Sequence, residues 1–82
     1  MNHVKLLFFA TLRDRAGTKS VELDVPADLT VQGLKEKVSN EYPSLRESMS
    51  SVLITINREY AFDDAVIPAN AELAMFPPVS GG

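Results

Sequence analysis

Apolar residues alternate at the start of the chain. The segment "HVKLLFFA" (residues 3–10) carries them on both faces at period two: Val4, Leu6 and Phe8 on one face, Leu7 and Phe9 on the other. This pattern predicts a strand that is covered on both sides, in the interior of a sheet. The polar segment "TLRDRAG" (residues 11–17) ends on Gly17, which predicts a hairpin connection to a second strand.

The second strand is predicted at "SVELDV" (residues 20–25), because apolar and acidic residues alternate there and Pro26 then stops the pairing. The period changes in "TVQGLKEKVSNEY" (residues 30–42), where one helical stripe contains Val31, Leu34, Val38 and Tyr42. Thr30 is the expected N-cap, and Pro43 is expected to end the helix. The capping-box sequence "SLRE" (residues 44–47) predicts a second, short helical turn.

Two further strands are predicted near the end of the chain. "VLITIN" (residues 52–57) is β-branched and apolar, and "ELAMF" (residues 72–76) is the last strand. The turn-rich stretch between them leaves room for one very short strand near Tyr60. This order predicts an α+β fold with a mixed sheet of four to five strands and one main helix packed on one face. We expect a single domain over residues 1–82.

Composition narrows the classes of function. The net charge is −3, the sequence has no basic cluster, and nucleic-acid binding therefore has no electrostatic basis. Without cysteine, the chain offers no disulfide, thiolate metal site or cysteine nucleophile. No apolar run is long enough to span a bilayer, and the first residues lack the features of a signal peptide. We expect a cytoplasmic protein that binds neither nucleic acid nor a membrane.

Conventional catalytic or metal-binding groups are few. His3 is the only histidine, and without cysteine or spaced carboxylates it is interpreted as a surface or strand-end residue, with no metal site expected. Asp63 and Asp64 are adjacent in a turn, where such pairs more often cap the backbone than bind a cation. The charged run of residues 13–15 is interpreted first as a solvated loop and second as a partner contact.

The segment "FPPVSGG" (residues 76–82) is the most unusual feature. Pro77 and Pro78 fix φ and favour extended geometry, so we expect the segment to be a stiff rod with a reach of about 20 Å if it is extended. Ser80, Gly81 and Gly82 then reduce it to nearly bare backbone, which a narrow channel can accept. On physical grounds alone, two interpretations remain open: a frayed terminus, or a tail that inserts into a partner and reacts through the carboxylate of Gly82.

The ending "FPPVSGG", preceded by "ELAM", resembles the small, sulfur-carrying subunit family of molybdopterin synthase, a family of ubiquitin-like sulfur carriers with the β-grasp fold. The resemblance covers the whole chain: "VKLLFFATLRDRAG" is similar to the first strand and hairpin of this family, "LTVQGLKEKVSNEYPSLRE" to its helix and following turn, and "ITINREY" to its third strand and turn. One departure is Asn70-Ala71, where the family commonly has Gly-Asp. Asparagine tolerates the left-handed conformation, so we expect this turn to persist.

The resemblance implies a function for the tail. Gly82 would be adenylated with ATP by an E1-like activating enzyme, converted to a thiocarboxylate, and used to donate sulfur to cyclic pyranopterin monophosphate in molybdenum cofactor biosynthesis. The partner would be the large subunit of molybdopterin synthase, in a heterotetramer. The residues expected to dock the tail or line the channel are Phe76, Pro77, Pro78, Val79, Ser80 and Gly81. The chain itself would bind no cofactor and would be inactive alone.

Two other hypotheses remain open at this point. The first is a protein modifier, or a sulfur carrier of another pathway, built on the same fold. The second is a plain binding module whose tail only docks.

Overall fold

The computed structural model describes residues 1–78, which form one mixed five-stranded sheet with the strand order β2-β1-β5-β3-β4. The strands are β1 (Asn2–Phe8), β2 (Ser20–Val25), β3 (Leu53–Ile56), β4 (Glu59–Ala61) and β5 (Glu72–Phe76), and the helices are α1 (Ala10–Ala16), α2 (Val31–Glu41) and a 3₁₀ helix (Pro43–Ser48). β1 and β5 are parallel, and the other pairs are antiparallel. The predicted α+β layout, including the very short strand at Tyr60, is confirmed.

The core lies between α2 and one face of the sheet. Leu6 stands opposite Val21 on one side and Leu73 on the other, so the alternation of β1 brings three strands into one apolar layer. The predicted stripe on α2 faces this layer, with Val31, Leu34 and Val38 fully buried. Tyr42 is half-buried at the helix end, where its ring meets Phe8 edge-on with the ring centroids 5.6 Å apart.

The ends of α2 lie where the sequence predicts. The Gly33 backbone N–H donates to Thr30 Oγ1 at 3.2 Å, so the predicted N-cap is confirmed. Such a cap stabilises a helix by about 1 kcal/mol. Pro43 begins the 3₁₀ helix and confirms the predicted short turn. The predicted capping box is wrong, because the Ser44 hydroxyl donates instead to the backbone oxygen of Arg15 at 3.0 Å. No helix in the described part of the chain is long and apolar enough to cross a membrane.

The connection between β1 and β2 differs from the predicted open hairpin loop, because it contains the helix α1. Leu12 is the residue of α1 that is buried, and it joins the core. Gly17 ends the helix in the left-handed conformation, with φ 77°, and its N–H donates to the backbone oxygen of Arg13 at 3.0 Å. The antiparallel pairing of the two strands is as expected, but a short helix connects them in place of the predicted loop.

The second face of β1 is not covered, contrary to the prediction that both faces are covered. Leu7 is only half-buried and Phe9 is 40% exposed, whereas the first face is fully buried against α2. The register places further side chains from β3, β4 and β5 on this side of the sheet. We call this surface the open face, and its members at one end are Leu7, Phe9, Thr55, Tyr60, Ala74 and Phe76.

A two-residue turn joins β3 to β4, and both of its residues have positive φ: Asn57 at 51° and Arg58 at 73°. These angles are typical of a type I′ turn, in which glycine is preferred at the second position. An arginine there costs about 1–2 kcal/mol of backbone strain. Asn57 ties the turn to β5, because its Oδ1 accepts from the Glu72 N–H at 2.9 Å and its own N–H donates to the Glu72 oxygen at 2.8 Å.

The turn before β5 persists as expected. Asn70 has φ 59°, which confirms the predicted left-handed conformation, and its N–H donates to the backbone oxygen of His3 at 2.9 Å. Ala71 follows with 1% exposure, and its backbone oxygen accepts from the Lys5 N–H at 3.0 Å. The departure from the family pattern therefore places a methyl group in the core and leaves the start of β5 in place.

Candidate functional site

The tail directly follows β5, which is the central strand of the sheet. β5 lies between β1 and β3, and its last residue, Phe76, is paired with Leu53. The Phe9 N–H donates to the Met75 oxygen at 3.2 Å, so backbone pairing between β5 and the segment that follows β1 continues almost to the end of β5. The point at which the tail leaves is thus held from both sides.

The ring of Phe76 is fixed by a second aromatic ring. Phe9 and Phe76 are stacked, with centroids 4.6 Å apart and 11° between the ring planes. Offset stacking of this kind contributes about 0.5–1.5 kcal/mol beyond the area that it buries. Of the predicted docking residues, Phe76 is therefore the one that the structure ties into the body. No direct signal in the sequence pointed to Phe9, apart from its place on the apolar face that was predicted to be covered.

The two prolines follow directly. Pro77 is half-buried and Pro78 is exposed, and neither has an N–H with which to extend the sheet. The remaining predicted site residues, Val79, Ser80, Gly81 and Gly82, lie outside the described residues, and their roles stay predictions.

An open depression of about 350 Å³ lies on the open face next to the tail exit. Its apolar part is formed by Leu7, Ala74 and the two stacked phenylalanines, and Arg58 and Glu72 lie at its polar end. Of these residues, Phe76 was predicted as part of a site, whereas Leu7, Phe9, Arg58, Glu72 and Ala74 were not. The period-two pattern of β1 contains Leu7 and Phe9, but only the register of β1, β5 and β3 shows that their face is free.

At its other end the open face is charged. His3 lies opposite Asp24 across β1 and β2, and its Nδ1–H donates to Asp24 Oδ1 at 2.9 Å while its Nε2–H donates to Glu22 Oε1 at 2.8 Å. These two bonds, that to Glu22 first, raise the pKa of His3 above its usual 6.5. The hydrogen bond from His3 to Glu22 also lowers the pKa of the Glu22 carboxyl below its usual 4.5. The expectation of an exposed strand residue is confirmed, but its carboxylate neighbours depend on strand register and were missed.

The other candidates have structural contacts. Asp63 and Asp64 lie in a turn as expected, but the Asp63 carboxylate accepts from Lys35 Nζ at 2.7 Å rather than from a backbone N–H. The backbone oxygen of Asp63 accepts from the Gln32 N–H at 3.0 Å. The charged run of residues 13–15 is exposed on α1 rather than at a loop tip, and Arg15 donates to the Ser48 hydroxyl at 3.2 Å. Over residues 1–78, no group of three or more histidine or carboxylate side chains is placed to hold a metal ion.

The arrangement thus combines an exit strand, an anchored aromatic residue and an apolar face beside it. A family model described as the ThiS family matches residues 6–82. The chain belongs to the ThiS family. The match confirms the resemblance to the ubiquitin-like sulfur carriers, and it spans both the body and the tail.

Among named relatives, the chain is similar to the molybdopterin synthase sulfur carrier subunit of Arabidopsis thaliana, with 37% identity over 96% of this chain and 82% of the relative. It is also similar to the subunit of the same name from Dictyostelium discoideum, with 34% identity over 99% of this chain and 98% of that protein. The crystal structure of SAMP1 from Haloferax volcanii superposes with a TM-score of 0.84 at 32% identity, covering 99% of this chain and 100% of the other. The ubiquitin-like β-grasp fold is confirmed.

Proposed function

We propose that this chain is the sulfur carrier subunit of a molybdopterin synthase and that it acts in the cytoplasm through the carboxylate of Gly82. The observation that carries the proposal is the family match, which extends to residue 82 and is accompanied by relatives of that name at 37% and 34% identity. The folded body serves to hold and present the tail.

The geometry at the tail exit supports this role. The stack of Phe9 on Phe76 fixes where the chain leaves the central strand, and the two prolines then stiffen its continuation. A pre-stiffened segment loses less conformational entropy when it enters a groove. Val79, Ser80 and Gly81 would follow Phe76, Pro77 and Pro78 into the partner, so that Gly82 reaches the reaction centre.

Activation of the carboxylate requires a partner enzyme. A free carboxylate is a poor acyl donor because it has no good leaving group, so an E1-like enzyme would bind ATP and let a Gly82 oxygen attack the α-phosphate, with pyrophosphate as the leaving group. The product is an acyl adenylate. A hydrosulfide equivalent from a sulfur source then attacks the carbonyl carbon and AMP leaves, which yields the thiocarboxylate.

Transfer of sulfur would take place in the large subunit. The thiocarboxylate sulfur would attack a side-chain carbon of the cyclic pyranopterin monophosphate, so that a carbon–sulfur bond replaces a carbon–oxygen bond and the oxygen substituent leaves that carbon. Water then cleaves the carbonyl–sulfur bond, so that sulfur stays on the pterin and Gly82 returns as a carboxylate. A dithiolene contains two sulfur atoms and each carrier brings one, so two loaded tails are needed for each product. The general acid and base would belong to the large subunit, with which the chain would form a heterotetramer.

Intact mass spectrometry tests the loading step. The purified chain is incubated with the activating enzyme, ATP and a sulfur source, and its mass is expected to increase by the difference between one sulfur and one oxygen atom. A chain that lacks Gly81 and Gly82 is the control and should gain nothing. If the full chain shows no such increase, the proposal fails.

The same tail chemistry could serve protein modification, and one observation favours this second candidate. The chain is similar to small archaeal modifier protein 1 of Haloferax volcanii in both sequence, at 34% identity over 90% of this chain, and structure. A modifier would form an isopeptide bond from the Gly82 carbonyl to a lysine of a target protein. Detection of that bond in digests of the cell's proteins would support the modifier function. If the bond is not found, the sulfur-carrier function remains as the single candidate.

A further inference from the structure

We propose that Arg58 is a docking residue that pairs with a carboxylate of the large subunit, beside an apolar side chain of that partner that enters the open-face depression. This inference rests on the proposed function and adds to it a chemical description of the partner's surface. The residue lies on a turn, outside the motifs that identified the tail.

The backbone at Arg58 is the first reason. Its φ of 73° belongs to the region that favours glycine, and the turn type prefers glycine at this position. Local strain of this kind persists where the surrounding structure fixes it and is concentrated at binding sites. Here the fixing contacts are the two hydrogen bonds between Asn57 and the backbone of Glu72. They attach the turn to the start of β5 and so hold Arg58 at the edge of the open face.

The surroundings of the side chain are the second reason. Arg58 lines the depression together with apolar residues, and within residues 1–78 it forms no salt bridge. The apolar lining consists of Leu7, Ala74 and the stacked phenylalanines. A guanidinium next to an apolar surface gains most from a partner that brings a carboxylate and covers that surface, because removal of water strengthens the attraction. The apolar lining of the depression is suited to an apolar side chain on the same partner.

The sign of the charges around the depression gives the contact its selectivity. Glu72 lies in the same depression as Arg58, and the chain as a whole has a net charge of −3. A partner carboxylate is attracted at Arg58 and repelled at Glu72, so the docking orientation that places it beside Arg58 is favoured. Complementary charges of this type fix the register of docking in addition to their contribution to affinity.

The test uses the full chain, the purified large subunit and three variants. Arg58→Gly removes the charge and the strain together, Arg58→Lys keeps both, and Arg46→Ala removes an exposed cation of the 3₁₀ helix, which packs on α1 and α2 away from the open face. Affinity is measured by isothermal titration calorimetry at several salt concentrations, and the melting temperature by circular dichroism.

We expect Arg58→Gly to melt a few degrees higher yet to bind about tenfold more weakly, which is the size of one charge-assisted contact. Its affinity should also depend less on salt, because one ion pair is gone. Arg58→Lys should lie between Arg58→Gly and the unsubstituted chain, and Arg46→Ala should bind as the unsubstituted chain does. A more stable variant that binds more weakly cannot be explained by damage to the fold.

Two results would overturn the inference: an affinity of Arg58→Gly equal to that of the unsubstituted chain, or an unchanged salt dependence in a weakened variant. Both would leave the proposed function intact, since that function fails separately if the unsubstituted chain gains no sulfur or does not bind the large subunit at all.

Discussion

Phe9 and Phe76 stack almost parallel, 4.6 Å between centroids, at the place where the chain leaves the sheet. Phe9 directly follows β1 and Phe76 is the last residue of β5. Because β1 and β5 are parallel neighbours, their carboxyl ends lie side by side and bring the two rings into contact. The contact joins the body of the protein to the segment that is proposed to react.

A double-mutant cycle measures this contact. Phe9→Ala, Phe76→Ala and the double variant are compared by urea unfolding, and we expect a coupling energy of about 0.5–1.5 kcal/mol. Phe76→Ala should also weaken binding to the large subunit, because the tail then leaves the sheet without its anchor.

Phe62→Ala is the matched control for that cycle. This ring is 82% exposed and lies beyond β4, so we expect its loss to change the free energy of unfolding by no more than about 0.5 kcal/mol. If Phe62→Ala and Phe76→Ala have equal effects on stability and on binding, the tail exit has no special role.

The two prolines should act on binding and not on folding. Replacement of both Pro77 and Pro78 by glycine frees the tail before it docks, and we expect a loss of about 1–2 kcal/mol in binding, or roughly 5- to 30-fold in Kd. The urea midpoint should stay unchanged, because both residues follow the last strand. Unchanged affinity for the large subunit would contradict the role of a pre-stiffened tail.

Backbone strain at Ala10 gives a prediction about stability. Its φ is 52° at the first residue of α1, a conformation that an alanine adopts at a cost and a glycine adopts freely. We expect Ala10→Gly to raise the free energy of unfolding by about 1 kcal/mol. Ala27→Gly, at an exposed turn residue without positive φ, should lower it by about 0.4–1 kcal/mol. Effects of the same sign at both positions would refute the strain at Ala10.

The charged end of the open face should make stability depend on pH. The pKa of His3 is raised in the folded protein, so its contribution is present below its usual 6.5 and is lost as pH rises through the raised value. The pKa of Glu22 is lowered, so its contribution is present above its usual 4.5 and is lost as pH falls through the lowered value. Both contributions are therefore complete between pH 4.5 and 6.5.

The melting temperature should accordingly be higher in that interval than at pH values well above it. The difference should be small and should shrink with added salt, because all three side chains are exposed. His3→Gln cannot titrate, and its melting temperature should not show this dependence. Equal pH profiles for both proteins would show that the cluster does not contribute.

The strands and the main helix could be predicted from the sequence because each has a complete local pattern. "ELAMF" coincides with β5, and the stripe of Val31, Leu34 and Val38 is buried along α2. Local chemistry was also sufficient at Thr30, which caps the helix, and at Asn70, which adopts positive φ. In these cases the residue's own preference and the tertiary structure agree.

The missed features depend on contacts between distant segments. α1 is seven residues long and has one buried residue, too few for a helical stripe, and Gly17 was interpreted as a hairpin turn although it ends a helix. The neighbours of His3 require the register of β1 on β2, and the stack of Phe9 on Phe76 requires the parallel pairing of β1 with β5. Leu7 and Phe9 were expected to be covered because their pattern alone cannot tell a covered face from a free one.

The central claim is that the working atom is the carbonyl carbon of Gly82, and one added residue tests it most directly. A chain with a single alanine after Gly82 is given to the activating enzyme and the large subunit, with intact mass spectrometry to verify that the alanine remains. We expect no sulfur on Gly82 and no dithiolene product, while binding to the large subunit persists. Formation of the dithiolene by the extended, uncleaved chain would contradict the account.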